Sequence, residues 1–163
     1  MSDDLLRRVE ALLYEEAAAL DEQRWEDWLE VFLPDCEYWM PAWDAEHELT
    51  QDPTQEISLI YYSDRSGLED RVWRIKSGMS SASTPLPRTS HIVSNVRLCG
   101  QDGDGHIVKA TWQANTFRNE QVASFFGTYE YRLAEIDGAL HVRKKKIVLM
   151  NDVIPSVVDV YSI

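Results

Sequence analysis

The hydrophobic period of this chain changes once along its length, and that change limits the fold more than any other feature. Leu5, Val9, Leu12, Leu13, Ala17 and Leu20 recur at helical spacing, as a helix with one buried stripe requires. Ser2 stands where an N-cap would, and Asp3 and Asp4 suit the positive end of the helix dipole. Trp25, Trp28, Leu29 and Phe32 follow at i, i+3, i+4 and i+7, a short second helix that Pro34 ends. From His91 the period is that of strands: His91–Cys99, Ile107–Phe117, Phe125–Ile136 and Ala139–Met150 are β-rich runs. The turns between them are Gly100 to Gly105, Asn119-Glu-Gln121 and Asp137-Gly138, the last a two-residue signature of a type I′ hairpin.

The middle of the chain joins the two patterns. Cys36 to Met40 reads as a strand, with Cys36, Tyr38 and Met40 on one face and Glu37 and Trp39 on the other. Ala42 to Pro53 is acidic and aperiodic, a long loop, and Ile57 to Tyr62 is a short strand. Ser66-Gly-Leu-Glu69 fits a capping box that opens a third helix, burying Leu68, Val72 and Ile75. Ser77 to Ser90 is rich in Ser, Thr and Pro and reads as a loop long enough to contact a partner. Helices first and then a meander of long strands means α+β: three N-terminal helices on a curved, mostly antiparallel sheet. A chain of 163 residues forms a single domain over 1–163.

Charge and composition exclude whole classes of function. The formal net charge is −12, whereas nucleic-acid binding needs clustered Lys and Arg. The basic run Arg143 to Lys146 lies in a strand, so its side chains alternate between faces instead of forming one patch. No apolar run approaches the ~20 residues of a membrane helix. The N-terminus has neither a basic flank nor an apolar h-region, so the expected location is the cytoplasm, with no membrane partner.

Chemical motifs are sparse. Cys36 and Cys99 have no neighbouring Cys or His, as an iron–sulfur or zinc site would need, and sit in strand patterns where an inert thiol is expected. His47, His91, His106 and His141 lie in different elements, and a mononuclear iron site needs two His and a carboxylate brought together. Asp102-Gly-Asp104-Gly-His106 superficially suits a calcium loop, but position six is Ile107 and position twelve is Gln113, so a hairpin turn is the better account. No nucleophile elbow or phosphate loop occurs. An acid/base pair has more scope, because a cone-shaped α+β domain can hold a carboxylate–histidine dyad between sheet and helices. Asp35, Tyr38 and His91 are the candidates, set against the plainer reading of each as a structural polar residue. Among the aromatics, Trp25, Trp28, Phe32, Trp73 and Trp112 fit buried faces. Trp39 opposes the Cys36/Tyr38/Met40 face and Trp43 opens a polar loop, so these two are divided between core and interface.

The order and spacing of several segments carry a resemblance along essentially the whole chain. They are Trp25-Glu-Asp-Trp-Leu29, Trp39-Met-Pro-Ala-Trp-Asp44, Asp52-Pro53, Glu56-Ile-Ser-Leu-Ile-Tyr-Tyr62 and Arg65-Ser-Gly-Leu-Glu-Asp-Arg-Val72. Pro87-Arg-Thr-Ser-His91, Ser94-Asn95, Phe126-Gly127 and Asn151-Asp152 complete the set. Together they resemble the β subunits of aromatic-ring-hydroxylating dioxygenases, in the benzoate, toluate and anthranilate branch. The resemblance implies a nuclear transport factor 2-like cone and an α3β3 hexamer. It places a Rieske [2Fe–2S] cluster and a mononuclear non-haem iron in the large subunit, with electrons from NADH through a reductase. It transfers no catalytic, cofactor-binding or metal residue to this chain. Ser81 to Thr89 and Ser94 to Arg97 look closer to anthranilate-type than to benzoate-type small subunits, with an ortho-halobenzoate or salicylate enzyme equally compatible. The alternative is a stand-alone cone-fold dehydratase or isomerase using a pocket carboxylate/His pair. A neighbouring gene encoding Cys-x-His and Cys-x-x-His ligands discriminates the two.

Overall fold

Helix α1 spans Ser2–Asp21 and turns Val9, Leu13, Glu16, Ala19 and Leu20 inward, following its 3.6-residue period. The computed structural model describes residues 2–154 and 156–163, so two positions of the expected 1–163 domain, Met1 and Pro155, lie outside the described residues. Ser2 is already helical and does not cap from outside. Helix α2, Trp25–Glu30, ends earlier than its apolar spacing suggests. Phe32 begins strand β1, Phe32–Pro41, and Pro34 sits inside that strand instead of stopping a helix. The pairing of this strand shifts register between Phe32 and Glu37, a stretch where a missing N–H is tolerated.

The expected loop from Ala42 folds into a small hairpin, β2 (Trp43–Ala45) against β3 (Glu48–Leu49). Strand β4 is Ser58–Tyr62 and helix α3 is Arg65–Ser77. The cap of α3 is Asp64, whose carboxylate accepts from the Ser66 N–H at 2.8 Å, and Glu69 instead pairs with Arg65 at 2.9 Å. The cap therefore lies two residues before the Ser66 that the capping-box pattern selects. The buried residues Leu68, Val72 and Ile75 are those the period selects, while Trp73 points outward at 63% exposure, against its expected burial.

Four long strands complete the sheet: β5 (Arg88–Asp102), β6 (Gly105–Arg118), β7 (Gln121–Ile136) and β8 (Ala139–Leu149). The first three reach further than their β-rich runs, because hairpin pairing recruits polar residues that propensity alone leaves out, while β8 ends one residue before the expected Met150. Asp137 and Gly138 take φ of 51° and 82°, the two positive values of a type I′ turn. The sheet runs β4-β1-β8-β7-β6-β5 and is antiparallel except where β1 lies parallel to β8. Strands this long twist and coil, and register shifts at Ser94/Arg97, Leu98/Gly100 and Arg132/Leu133 add bends. The sheet thus curves around the helices as a cone. Gly127 permits the tightest strand contact: a Cβ there would lie 1.8 Å from the Val148 carbonyl oxygen. The inner face of the sheet, α1 and the last residues share one core, in which Trp28, Phe32, Tyr38, Phe125 and Leu133 are fully buried.

Candidate functional site

The interior of the cone holds a charged pair. Glu16 lies on the buried stripe of α1 with a side-chain exposure of 3%, and β8 sends Lys145 inward at 1%. Lys145 Nζ is 2.5 Å from Glu16 Oε1, and the Tyr131 hydroxyl donates to Glu16 Oε2 at 2.7 Å. The ammonium also sits 4.2 Å from the Tyr129 ring centroid, with the Tyr38 and Tyr131 rings beside it. A buried charge costs several kcal/mol unless it is paired, and here a carboxylate and three aromatic faces surround it. Burial pulls the Lys145 ammonium below its ordinary value, while Glu16 pulls the other way. Burial also pushes Tyr38, Tyr129 and Tyr131 well above the usual phenol range, so these hydroxyls keep their protons at neutral pH. Sequence periodicity signals both ends of the pair: Glu16 falls in phase with Val9 and Leu13, and Lys145 with Ile147 and Leu149.

The three candidate acid/base residues are not brought together. Asp35 is on the surface, 3.7 Å from Arg143. Tyr38 is fully buried among Trp28, Phe32 and Tyr62, with its hydroxyl unpartnered among the described residues. β1, which carries Tyr38, and β5, which carries His91, are four strand spacings apart in the sheet, roughly 19 Å along it. His91 does meet a carboxylate, but that of Asp21 at the end of α1. His91 Nδ1 lies 2.6 Å from Asp21 Oδ1, the His91 N–H donates to Oδ2 at 2.8 Å, and the Thr89 hydroxyl donates to Oδ1 at 2.8 Å. Burial raises the Asp21 carboxyl, and the hydrogen bonds from His91 and Thr89 more than offset this, holding it below the ordinary value. The histidine was thus readable and its carboxylate was missed. The available signal was an acid at a helix C-terminus, where the dipole disfavours negative charge unless a partner holds it.

The remaining polar candidates stay apart as well. His47 lies exposed in the β2–β3 turn, His106 on β6 and His141 on β8. Among the described residues, no three His, Cys, Asp or Glu form a group that could hold a metal. Cys36 is buried and its thiol is pushed up to about 12 by desolvation. Cys99 is exposed, although its apolar strand pattern points to a buried thiol. Asp102 pairs with Arg132 beside the β5–β6 turn, as a hairpin residue does.

The outer face of the sheet is uncovered by helices and carries the rest of the distinctive chemistry. One row crosses it from edge to edge: Arg97, Lys109, Glu130, Lys146, Trp39 and Tyr61 are successive cross-strand partners. Lys144 and Lys146, the outward members of the basic run, stack over Trp39 with Nζ 5.3 and 5.0 Å from its ring. Trp39 therefore lies on the outer face, as its alternation predicts, yet is only 4% exposed because these lysines cover it. Its Nε1–H donates to Ser58 at 3.0 Å. Trp43 is 40% exposed and ties the β2–β3 hairpin to β8 by donating to the Leu149 carbonyl at 2.6 Å. Further exposed apolar residues, Ile92, Phe126 and Met150, cluster near the other end of this face, a grouping with no signal in the sequence. Hairpin pairing alone places them together.

Comparison with known proteins agrees with this architecture. The family model for the ring hydroxylating beta subunit matches residues 15–156. The toluate 1,2-dioxygenase subunit beta of Pseudomonas putida is 46% identical, covering 95% of this chain and 96% of its own. The anthranilate 1,2-dioxygenase small subunit of Acinetobacter baylyi is 39% identical over the full length of both, so overall identity does not favour the anthranilate-like segments. The crystal structure of the benzoate 1,2-dioxygenase beta subunit from Burkholderia mallei superposes with a TM-score of 0.79 at 40% identity, covering 95% of each chain. A Novosphingobium aromaticivorans structure described as a scytalone dehydratase shares the fold alone, at 15% identity and a TM-score of 0.70 over 93% of this chain and 89% of its own. The expected cone fold and dioxygenase resemblance both hold.

Proposed function

The chain belongs to the ring hydroxylating beta subunit family, and from that membership we propose that it is the small structural subunit of an aromatic-ring-hydroxylating dioxygenase. The family match over residues 15–156 carries this reading. The enzyme cis-dihydroxylates a benzoate-type acid: benzoate, toluate, anthranilate or a halobenzoate. The large subunit holds the Rieske cluster and the mononuclear iron, a reductase supplies electrons from NADH, and three copies of each chain form an α3β3 hexamer in the cytoplasm. This chain contributes one domain, 1–163, with no catalytic, cofactor-binding or metal residue, and Trp39 and Trp43 at assembly contacts.

Two features support a structural role over a stand-alone dehydratase or isomerase. The space between sheet and helices, which such an enzyme needs for substrate, is filled by Tyr38, Tyr129, Tyr131 and the Glu16–Lys145 pair. Asp35, Tyr38 and His91 do not converge, and the pair that forms, Asp21–His91, has a His side chain only 2% exposed. The experiment compares the chain alone with the chain co-expressed beside its large subunit. Alone it is expected to be colourless, free of stoichiometric iron and inactive with reductase and NADH. The complex is expected to be red-brown and active, with iron staying on the large chain after dissociation. Oxygenase turnover by the isolated chain, or stoichiometric iron on it, overturns the reading.

A further inference from the structure

Residues 158–163 run back from the sheet into the core. Asp159, Val160, Tyr161, Ser162 and Ile163 are all buried, and Val160–Ser162 form a single 3-10 turn. The residues leading there, 152–154 and 156–157, are exposed and outside any helix or strand, with Val153 at 80% and Val157 at 60% exposure. Asn151 pins the start of this coil, accepting from the Phe126 N–H at 3.1 Å and donating to the Ser124 carbonyl at 2.9 Å. The buried segment pairs with no strand. Among the described residues, its one backbone–backbone hydrogen bond is internal, from the Ser162 N–H to the Asp159 carbonyl at 2.9 Å. The Asp159 carboxylate likewise accepts from the Val160 N–H at 2.7 Å, and the Asp159 N–H donates to the Ser162 hydroxyl at 3.0 Å.

Side chains fasten the segment instead. Arg71 on α3 grips the Asp159 carboxylate at two points: Nε–H donates to Oδ1 at 2.8 Å and Nη2–H donates to Oδ2. The two side chains are 17% and 5% exposed. On the other side, the Tyr161 hydroxyl lies 3.2 Å from Ser83 Oγ, in the turn Ser81–Ser83 between α3 and β5. Arg118 of β6 also holds that turn, donating to the Ser81 and Thr84 carbonyls at 2.8 and 2.9 Å.

We propose that residues 158–163 are a latch that opens and recloses while the cone stays folded, and that its closing fixes the Ser81–Ser83 turn against α3. A unit that shares no backbone hydrogen bond with the sheet leaves without breaking a ladder, as sub-global opening requires. Burial of Val160, Tyr161 and Ile163, with the two-point ion pair, keeps the closed state dominant. The exposed coil tethers the released segment at roughly millimolar local concentration, so reclosing is intramolecular. Opening uncovers the Arg71 guanidinium and leaves the turn held from β6 alone.

Amide hydrogen exchange of the full chain, resolved by NMR, tests the latch. The Val160 and Ser162 amides are expected to exchange at least ~tenfold faster than that of Tyr129 in β7, with little dependence on urea. Asp159→Asn keeps an oxygen for the Val160 N–H but removes the charge that Arg71 grips. Hydrogen bonds to charged groups are worth a factor of roughly ten to a hundred, and the Val160, Ser162 and Ser83 amides are expected to speed up by that factor. Glu16→Gln, in the cone interior, is expected to speed Tyr129 and leave the latch amides unchanged. Glu69→Gln, which breaks the pair with Arg65 on the same helix, is the control and leaves the latch amides at the wild-type rate. If Asp159→Asn fails to fold, Arg71→Lys replaces it, keeping the charge and losing the two-point grip. Latch amides that exchange at the Tyr129 rate and follow Glu16→Gln open only with the whole domain, and that overturns the proposal. A Ser83 amide untouched by Asp159→Asn overturns the link to the turn.

Discussion

Glu16→Gln isolates the charge of the interior pair. The amide has nearly the same shape and keeps an oxygen for the Tyr131 hydroxyl, so the change removes one charge and little packing. Lys145, 1% exposed, is then left among three tyrosine rings with no counter-ion. Removing one partner of a buried pair costs about 3–5 kcal/mol, against about 5–15 kcal/mol for the stability of a whole domain. Burial already pulls Lys145 below its ordinary value, so the ammonium can shed its proton, and the expected loss is the lower end, about 3 kcal/mol. The sign with pH follows from proton counting. Folded Lys145 binds fewer protons than the unfolded side chain below 10.5, so the variant recovers stability as pH rises. The double variant Glu16→Leu with Lys145→Met removes both charges and is expected to return within about 1 kcal/mol of the wild type or exceed it. Equilibrium urea unfolding at matched m-values measures all three proteins. A loss below about 1 kcal/mol for Glu16→Gln, or a double variant no better than the single, refutes a dry and mutually dependent pair.

The Asp21 carboxyl lies below its ordinary 3.8, so its contribution is complete above that value and is lost as pH falls through the lowered folded-state value. Asp21→Asn is expected to be less stable near pH 7 and to lose less on acidification, and an acid-unfolding curve parallel to the wild type contradicts this. Trp43→Glu is expected to shift the assembled complex to smaller species on size-exclusion chromatography, because at the proposed assembly contact it would place a charge where water is excluded. Trp43→Phe loses the bond to Leu149 but keeps an aromatic surface, so normal elution of both variants removes Trp43 from the contact.

Periodicity alone determined the class of fold. The stripes of α1 and α3, the strand runs and the Asp137-Gly138 turn are local patterns, because side-chain direction follows from backbone geometry within a few residues. The same alternation put Trp39 on the outer face and split the basic run between the two faces. Segment order carried the family without any chemical motif. Tertiary structure decided the partners. Nothing local says that Asp21 rather than Asp35 meets His91, since the choice depends on α1 ending over β5 while β1 lies across the sheet. Nor does local sequence show that lysines cover Trp39, that Trp73 faces outward, or that Ile92, Phe126 and Met150 share one groove. Phe32 and Pro34 entered a strand because parallel pairing with β8 outweighed a short helical pattern. Local propensities are worth tenths of a kcal/mol to about 1 kcal/mol per residue, whereas burial of a large side chain is worth about 1.5–3 kcal/mol. Where the two compete, contacts between residues distant in sequence set the outcome.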